Sequence, residues 1–220
     1  METRKATHQK LKEILDDILT MGNMVEKSII NSVNALKDRD FAMAQQVING
    51  DLEINSKRFE IEEKCIQYIL TQQPTADDLR ILIGVLNIVT ELERVGDHST
   101  GTAKIVVMIG NEPLLKPLID IPIMAEKTAD MLHRGLTAFI NHDAHAARKI
   151  ISEDDRIDNF YDQVFKELLI IMIEDPRTVT RATRLIWAAH NLERSADRIT
   201  NICERAIATI TGKMEEIGAS

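Results

Sequence analysis

Residues Glu91–Gly101 read ELERVGDHSTG, and Asn191–Asn201 read NLERSADRITN. The two windows start 100 residues apart and agree at five of eleven positions: Leu, Glu, Arg, Asp and Thr. Unrelated windows of that length agree at roughly one position, given average residue usage. A second echo lies upstream. Asp51-Leu-Glu-Ile-Asn55 aligns with Asp154-Asp-Arg-Ile-Asp158, 103 residues on. The chain therefore reads as an internal duplication. Its fold must be a supersecondary unit built twice, and whatever the repeated acids do is done twice.

The repeated unit is helical. The five prolines, Pro74, Pro113, Pro117, Pro122 and Pro176, punctuate the sequence. Proline removes a backbone donor and clashes with the preceding turn, so helix interiors avoid it. Between the prolines, apolar residues recur three and four apart, as in Leu11, Ile14, Leu15, Ile18 and Met21. That is the stripe of an amphipathic helix. Six helices are expected, near residues 4–36, 40–71, 76–109, 118–141, 143–174 and 178–211. Gly50 and Asp51 are expected to kink the second. No stretch alternates with period two, so strands are not expected. GNEPLLKPLIDIP, Gly110–Pro122, is the natural link between halves. The fold class is all-α: two repeated antiparallel three-helix bundles, residues 1–112 and 113–220. The three-residue difference in spacing fits a longer turn in the first half, around TQQPTADD.

Composition narrows the function. With 44% apolar and 28% charged residues, the chain should be globular and soluble. Apolar runs such as Leu168–Ile173 are far shorter than the roughly 18–20 residues of a membrane span. The charged N-terminus has no apolar signal core, so export is not expected and the cytoplasm is the expected location. Cys65 and Cys203 are isolated in helical patterns, as small core residues of a reducing compartment. The net charge of −8, without a basic run, argues against a nucleic-acid partner. Aromatics are only 4%, too few for base-stacking platforms.

The acidic positions carry the sharpest chemical signal. At 100° per residue, Glu193, Asp197, Asn201 and Glu204 share an arc of about 80° that flanks the core stripe. Asp154 and Asp158 are one turn apart on the preceding helix. In an antiparallel hairpin, residues at one level have a constant sum of numbers. Pairing 154/158 with 193/197 centres the hairpin on Asp175–Pro176, the expected turn. Pairing Asp51/Asn55 with Glu93/Asp97 centres the first hairpin on Pro74, again the expected turn. Each hairpin thus brings two acidic or amide pairs to one height. Like charges four apart repel by a few tenths of a kcal/mol, and converging ones by more. Oxygen-rich sites of this kind suit hard or intermediate metals such as Mg, Mn and Fe. Set against that, acids at this spacing are often a solvated face paired with arginine, and Arg94, Arg194 and Arg198 are placed to pair.

Other chemistry is weaker. The E-x-x-H of ferritin-like dimetal oxidases is absent, because Gly96 and Ala196 follow Glu93 and Glu193 by three. His142 and His145 sit at a helix start, where a cap and loop explain them better than zinc. His98 and His190 read as neighbours of the acidic motifs, not as ligands. The nine methionines, Met21, Met24, Met43 and Met108 among them, read as core filler. There is no nucleotide-binding glycine loop and no defensible nucleophile–base pair.

Two copies of L-E-R-x-x-D, each closing a three-helix repeat, resemble the PhoU family of phosphate-transport regulators. The resemblance spans essentially the whole chain. LERSADRITNICE, Leu192–Glu204, carries the family's E-R-x-x-D-x-x-x-N-x-x-E in full. LERVGDHSTGTAK, Leu92–Lys104, has the family-like G-D-H, then departs with Gly101 for Asn and Lys104 for Glu. Asn55 likewise stands where the other repeat has Asp158. The resemblance implies a cytoplasmic, homodimeric accessory of the phosphate-specific ABC transporter, at most peripheral to the membrane. Such proteins link the transporter's ATPase subunit to a sensor histidine kinase and hold the phosphate-starvation response off. They also bind divalent or trivalent metal ions: iron, manganese, zinc or magnesium. Carried over, one metal site is Asp154, Asp158, Glu193 and Asp197, with Asn201 and Glu204 near; the other is Asp51, Asn55, Glu93 and Asp97. No catalytic residue is implied. The rival readings are a carboxylate-metal enzyme and a metal-free helical scaffold.

Overall fold

The computed structural model describes residues 2–213. They form α1 (Glu2–Asp38), α2 (Phe41–Gln72), α3 (Ala76–Ile109), α4 (Asp120–Ile140), α5 (Ala144–Ile151), α6 (Asp155–Glu174) and α7 (Val179–Thr211). A 3-10 turn, Pro176–Thr178, precedes α7. No strand occurs among the described residues. The expected two three-helix repeats are present, α1–α2–α3 and α4–(α5, α6)–α7. The fifth expected helix is a correction, because its arm is broken at residues 152–154.

Tertiary contacts cause that break. Glu153 is drawn aside by a two-pronged bond to Arg134 of α4, at 3.1 and 2.6 Å. The backbone tightens to i→i+3 bonds there, with Glu153 N on the Ile150 carbonyl and Asp154 N on that of Ile151. In the first repeat α2 runs unbroken through Gly50 and Asp51, where a kink was expected. The link between repeats is also shorter than expected. Pro122 falls in the first turn of α4, where its missing N–H costs nothing.

The duplication is written into the turns as well. Arg39 and His142, 103 residues apart, both take positive φ of 54°. The Asp after each caps the next helix: Asp40 accepts from Met43 N and Asp143 from Ala146 N, both at 2.9 Å. The His142 segment is therefore cap and loop, as its sequence implies. A Thr75–Asp78 capping box starts α3.

One hydrophobic core serves both repeats. Leu11, Ile14, Ile18, Met21, Val25 and Ile29 of α1 are buried at the expected spacing. The repeats join where α3 packs on α7 and α1 on α4. Helices α3 and α7 run antiparallel: Gly84 faces Thr209, Glu91 faces Arg198 and Thr102 faces Asn191. By these pairings positions 96 and 196, equivalent in the two repeats, fall at one level along the packed helices, so a local pseudo-twofold axis relates the repeats. Cys65 and Cys203 are free and buried. Burial pushes both thiols up to about 12, leaving them inert. Met21, Met124 and Met131 fill the core, but Met108 is half exposed, contrary to its expected role.

Candidate functional site

The α6–α7 hairpin turns at Asp175–Thr178, and the α2–α3 hairpin at Gln73–Thr75. Those are the centres demanded by level-matching the acids. In the second repeat Asp154 leads into α6 and Asp158 follows one turn on, opposite Glu193 and Asp197 of α7. The four act on one another electrostatically. Burial first, then Asp158, Asp197 and Glu193, push Asp154 up to about 7. Burial, then Asp197, push Glu193 to about 7, with Arg194 opposing. Asp158 is raised by burial and by Asp197. These are the expected marks of carboxylates crowded into a partly dry site.

Two oxygens there are stranded. Asp154 Oδ1 and Glu193 Oε2 are buried without a hydrogen-bond partner. His190 Nδ1 lies 3.3 Å from that Glu193 oxygen but does not satisfy it by hydrogen-bond geometry. The His190 ring rests against Tyr161, centroids 5.8 Å apart. Asp197 has its own cation, Arg194, at 2.6 Å, the pairing that the i,i+3 spacing allows. Asn201 and Glu204 continue along α7. Glu204 and Asp154 both act on the Cys203 thiol, the former from the next position in sequence.

The first repeat assembles the equivalent residues but neutralises them locally. Asp51 accepts from Asn55 Nδ2 and from Thr100 Oγ1, each at 3.2 Å. Arg58 Nη1 lies 3.4 Å from Glu93. Burial raises Glu93, with Arg58 opposing. Burial and Asp51 raise Asp97, with Lys104 and Arg58 opposing. The repeat offsets place Asn55, Arg58 and Lys104 where the second repeat has Asp158, Tyr161 and Glu204. Each difference makes the first site less negative. Arg58 was not singled out from sequence, although it lies seven residues after Asp51 and so on the same helix face.

Arg94 and Arg198 do not pair with the motif acids. Both approach Glu91, at 3.3 and 3.6 Å, and Arg198 does so across the repeat junction. His98 sits in that junction. Burial, then Arg198, Arg194 and His190, pull its imidazole down to about 4. It is neutral at ordinary pH, and its Nε2 has no hydrogen-bond partner.

Among the described residues, no group of three or more His, Cys, Asp or Glu stands arranged to hold a metal ion. The donor chemistry of the second repeat nevertheless fits one. Its stranded oxygens and mutually raised acids are defects that a hard cation relieves by drawing the carboxylates together. The first repeat, supplied with Arg58 and Lys104, fits a cation less well.

A duplicated three-helix bundle with level-matched carboxylate pairs on each hairpin defines a narrow class of protein. The chain belongs to the PhoU family: the PhoU domain matches residues 18–106 and again 121–206. A phosphate-specific transport system accessory protein PhoU homolog of Clostridium acetobutylicum is 37% identical over 98% of this chain and 99% of its own. The phosphate-specific transport system accessory protein PhoU of Escherichia coli is 31% identical over 93% of this chain and 85% of its own. The crystal structure of PhoU from Pseudomonas aeruginosa superimposes with a TM-score of 0.88 at 32% identity, covering 94% of this chain and 99% of that one.

Proposed function

We propose that this chain is a non-enzymatic accessory and regulator of phosphate uptake that works by docking. Its partners in this reading are the ATPase subunit of a phosphate-specific transporter and a sensor histidine kinase. Bound to them, it holds the phosphate-starvation response off while phosphate is plentiful. The carrying observation is that both copies of the L-E-R-x-x-D motif stand in PhoU-domain repeats of a chain that aligns end to end with phosphate-transport accessory proteins. No helix of the described residues is long and apolar enough to cross a membrane, which fits a protein that reaches the transporter from its surface.

In the same reading the carboxylate sites take metal ions. Asp154, Asp158, Glu193 and Asp197 would hold the ion of the second repeat, with Asn201 and Glu204 beside them. The metal would supply positive charge that neutralises the crowded acids and fixes the α6–α7 hairpin. Asp51, Asn55, Glu93 and Asp97 would hold a weaker one. The metal-free scaffold remains the second reading, favoured by the present separation of the donors. Elemental analysis of protein purified without chelator decides between them.

Affinity capture tests the docking reading. The tagged chain, recovered from the membrane and soluble fractions of phosphate-replete and phosphate-starved cells, should bring down the transporter's ATPase subunit. Its absence from both fractions would refute the reading.

A further inference from the structure

The first repeat holds a cavity whose twin in the second repeat is crossed by a salt bridge. It lies between α1 and α2, measures about 320 Å³, and takes its apolar lining from Met24, Val47 and Ile54. The twin, between α4 and the broken arm, measures about 250 Å³. Every residue lining the second cavity, moved back by the repeat offset of 103, lands on a residue lining the first. The two are one site, built twice.

Their contents differ. In the second repeat Arg134 is bonded to Glu153 at 3.1 and 2.6 Å and to Asp130 at 2.8 Å. The first repeat has Asn31 for Arg134, Gly50 for Glu153 and Lys27 for Asp130. The bridge is gone, and one of its acids has become a cation. Gly50 is the sharpest difference. A Cβ there would meet nothing within 4 Å, and the residue does not take positive φ. Neither packing nor backbone conformation asks for glycine, which weakens a helix interior. Glycine also leaves bare backbone that a ligand can approach closely, and this one lines the cavity.

Charge defines what fits. Lys27 and Glu53 are the charged side chains of the first cavity. Neither forms an ion pair among the described residues. Charged groups close by in sequence are engaged elsewhere: Glu26 with His133, Asp51 with Asn55 and Thr100, and Lys57 with Asp17 and Glu60. A simple anion would be attracted by Lys27 but repelled by Glu53, and a simple cation the reverse. A ligand with both charges and a compact apolar body satisfies both residues and the apolar lining. The volume lies at the lower end of ligand pockets, which span roughly 300–1,000 Å³, so the ligand is small.

We propose that the cavity bounded by Lys27, Gly50 and Glu53 binds a small zwitterion, an α-amino acid with an apolar side chain, its carboxylate toward Lys27 and its ammonium toward Glu53. The second repeat does not bind one, because Arg134 and Glu153 bridge the equivalent place. The inference goes beyond the docking and metal readings and depends on neither.

Titration calorimetry of the full chain with L-leucine tests it. One leucine should bind per chain. N-acetyl-leucine, which lacks the ammonium, and leucinamide, which lacks the carboxylate, should each bind at least about tenfold more weakly, the loss of one charge-assisted hydrogen bond. Lys27→Met and Glu53→Gln should weaken leucine to a similar degree. Gly50→Leu should fill the cavity and abolish binding, with a melting temperature no lower than the parent's, because leucine favours the helix and its Cβ meets nothing. Arg156→Gln, at the second-repeat counterpart of Glu53, should leave binding unchanged. No leucine binding at millimolar concentration, equal binding of either blocked derivative, or undiminished binding by Gly50→Leu or Lys27→Met would each overturn the proposal.

Discussion

Asp154 shows how one side chain links sequence to chemistry. A carboxyl held near 7 in the fold, against 3.8 ordinarily, keeps its proton in the native state where the unfolded chain has lost it. Between those values the native state binds more protons, so stability falls as pH rises. Glu193, also held near 7, adds to the same trend. Metal-free protein should therefore melt at a higher temperature at pH 5 than at pH 8. Asp154→Asn should remove much of that difference and raise the melting point at pH 8, while weakening metal uptake. Thermal melts of both proteins at the two pH values, in chelator, check this; a parent more stable at pH 8 would contradict it. The contrast between Tyr161 and Arg58 yields a second expectation. Glu193→Ala should abolish more metal binding than Glu93→Ala, because the first site already has a resident guanidinium. Metal titrations of the two variants, read by stoichiometry, would show the reverse order if that account is wrong.

At the scale of elements, close approach between repeats is set by small residues. A side chain at Gly84 of α3 would place its Cβ 2.5 Å from Thr209 Oγ1 of α7 and 3.2 Å from the Phe139 ring. Gly84→Val should cost about 1–3 kcal/mol through overpacking, measurable by denaturant unfolding. A cost near zero would mean that the junction is looser than described. The helices themselves were legible in the sequence because Leu, Ile and Ala recur at 3.6-residue spacing between prolines. The hairpin centres at Pro74 and Asp175–Pro176 were legible by arithmetic, once both motifs were paired. The break at residues 152–154 was not. Ser152, Glu153 and Asp154 lack the glycine or proline that marks a stop, and the distortion comes from Arg134 on another helix. The clustering of Asp154, Asp158, Glu193 and Asp197 was legible for the same reason as the hairpins. Its local neutralisation in the first repeat was only partly so. Asn55 and Lys104 stood out by alignment, but Arg58 revealed its role only when α2 met α3.

The whole molecule is a duplication whose halves have diverged. The repeats share one core and a local twofold relation, yet their acidic sites differ in charge and only the second arm is broken. The second site keeps its crowded carboxylates, whereas Arg58 and Lys104 offset those of the first. A relative named as a phosphate-specific transport system accessory protein aligns along nearly the full length of the chain. The central claim is regulation by association. It is tested most directly by the level of a phosphate-starvation transcript in phosphate-replete cells that lack this chain. The account predicts a starvation-like level, returned to the repressed level by the restored wild-type chain. A transcript that stays repressed in the deletion would contradict it.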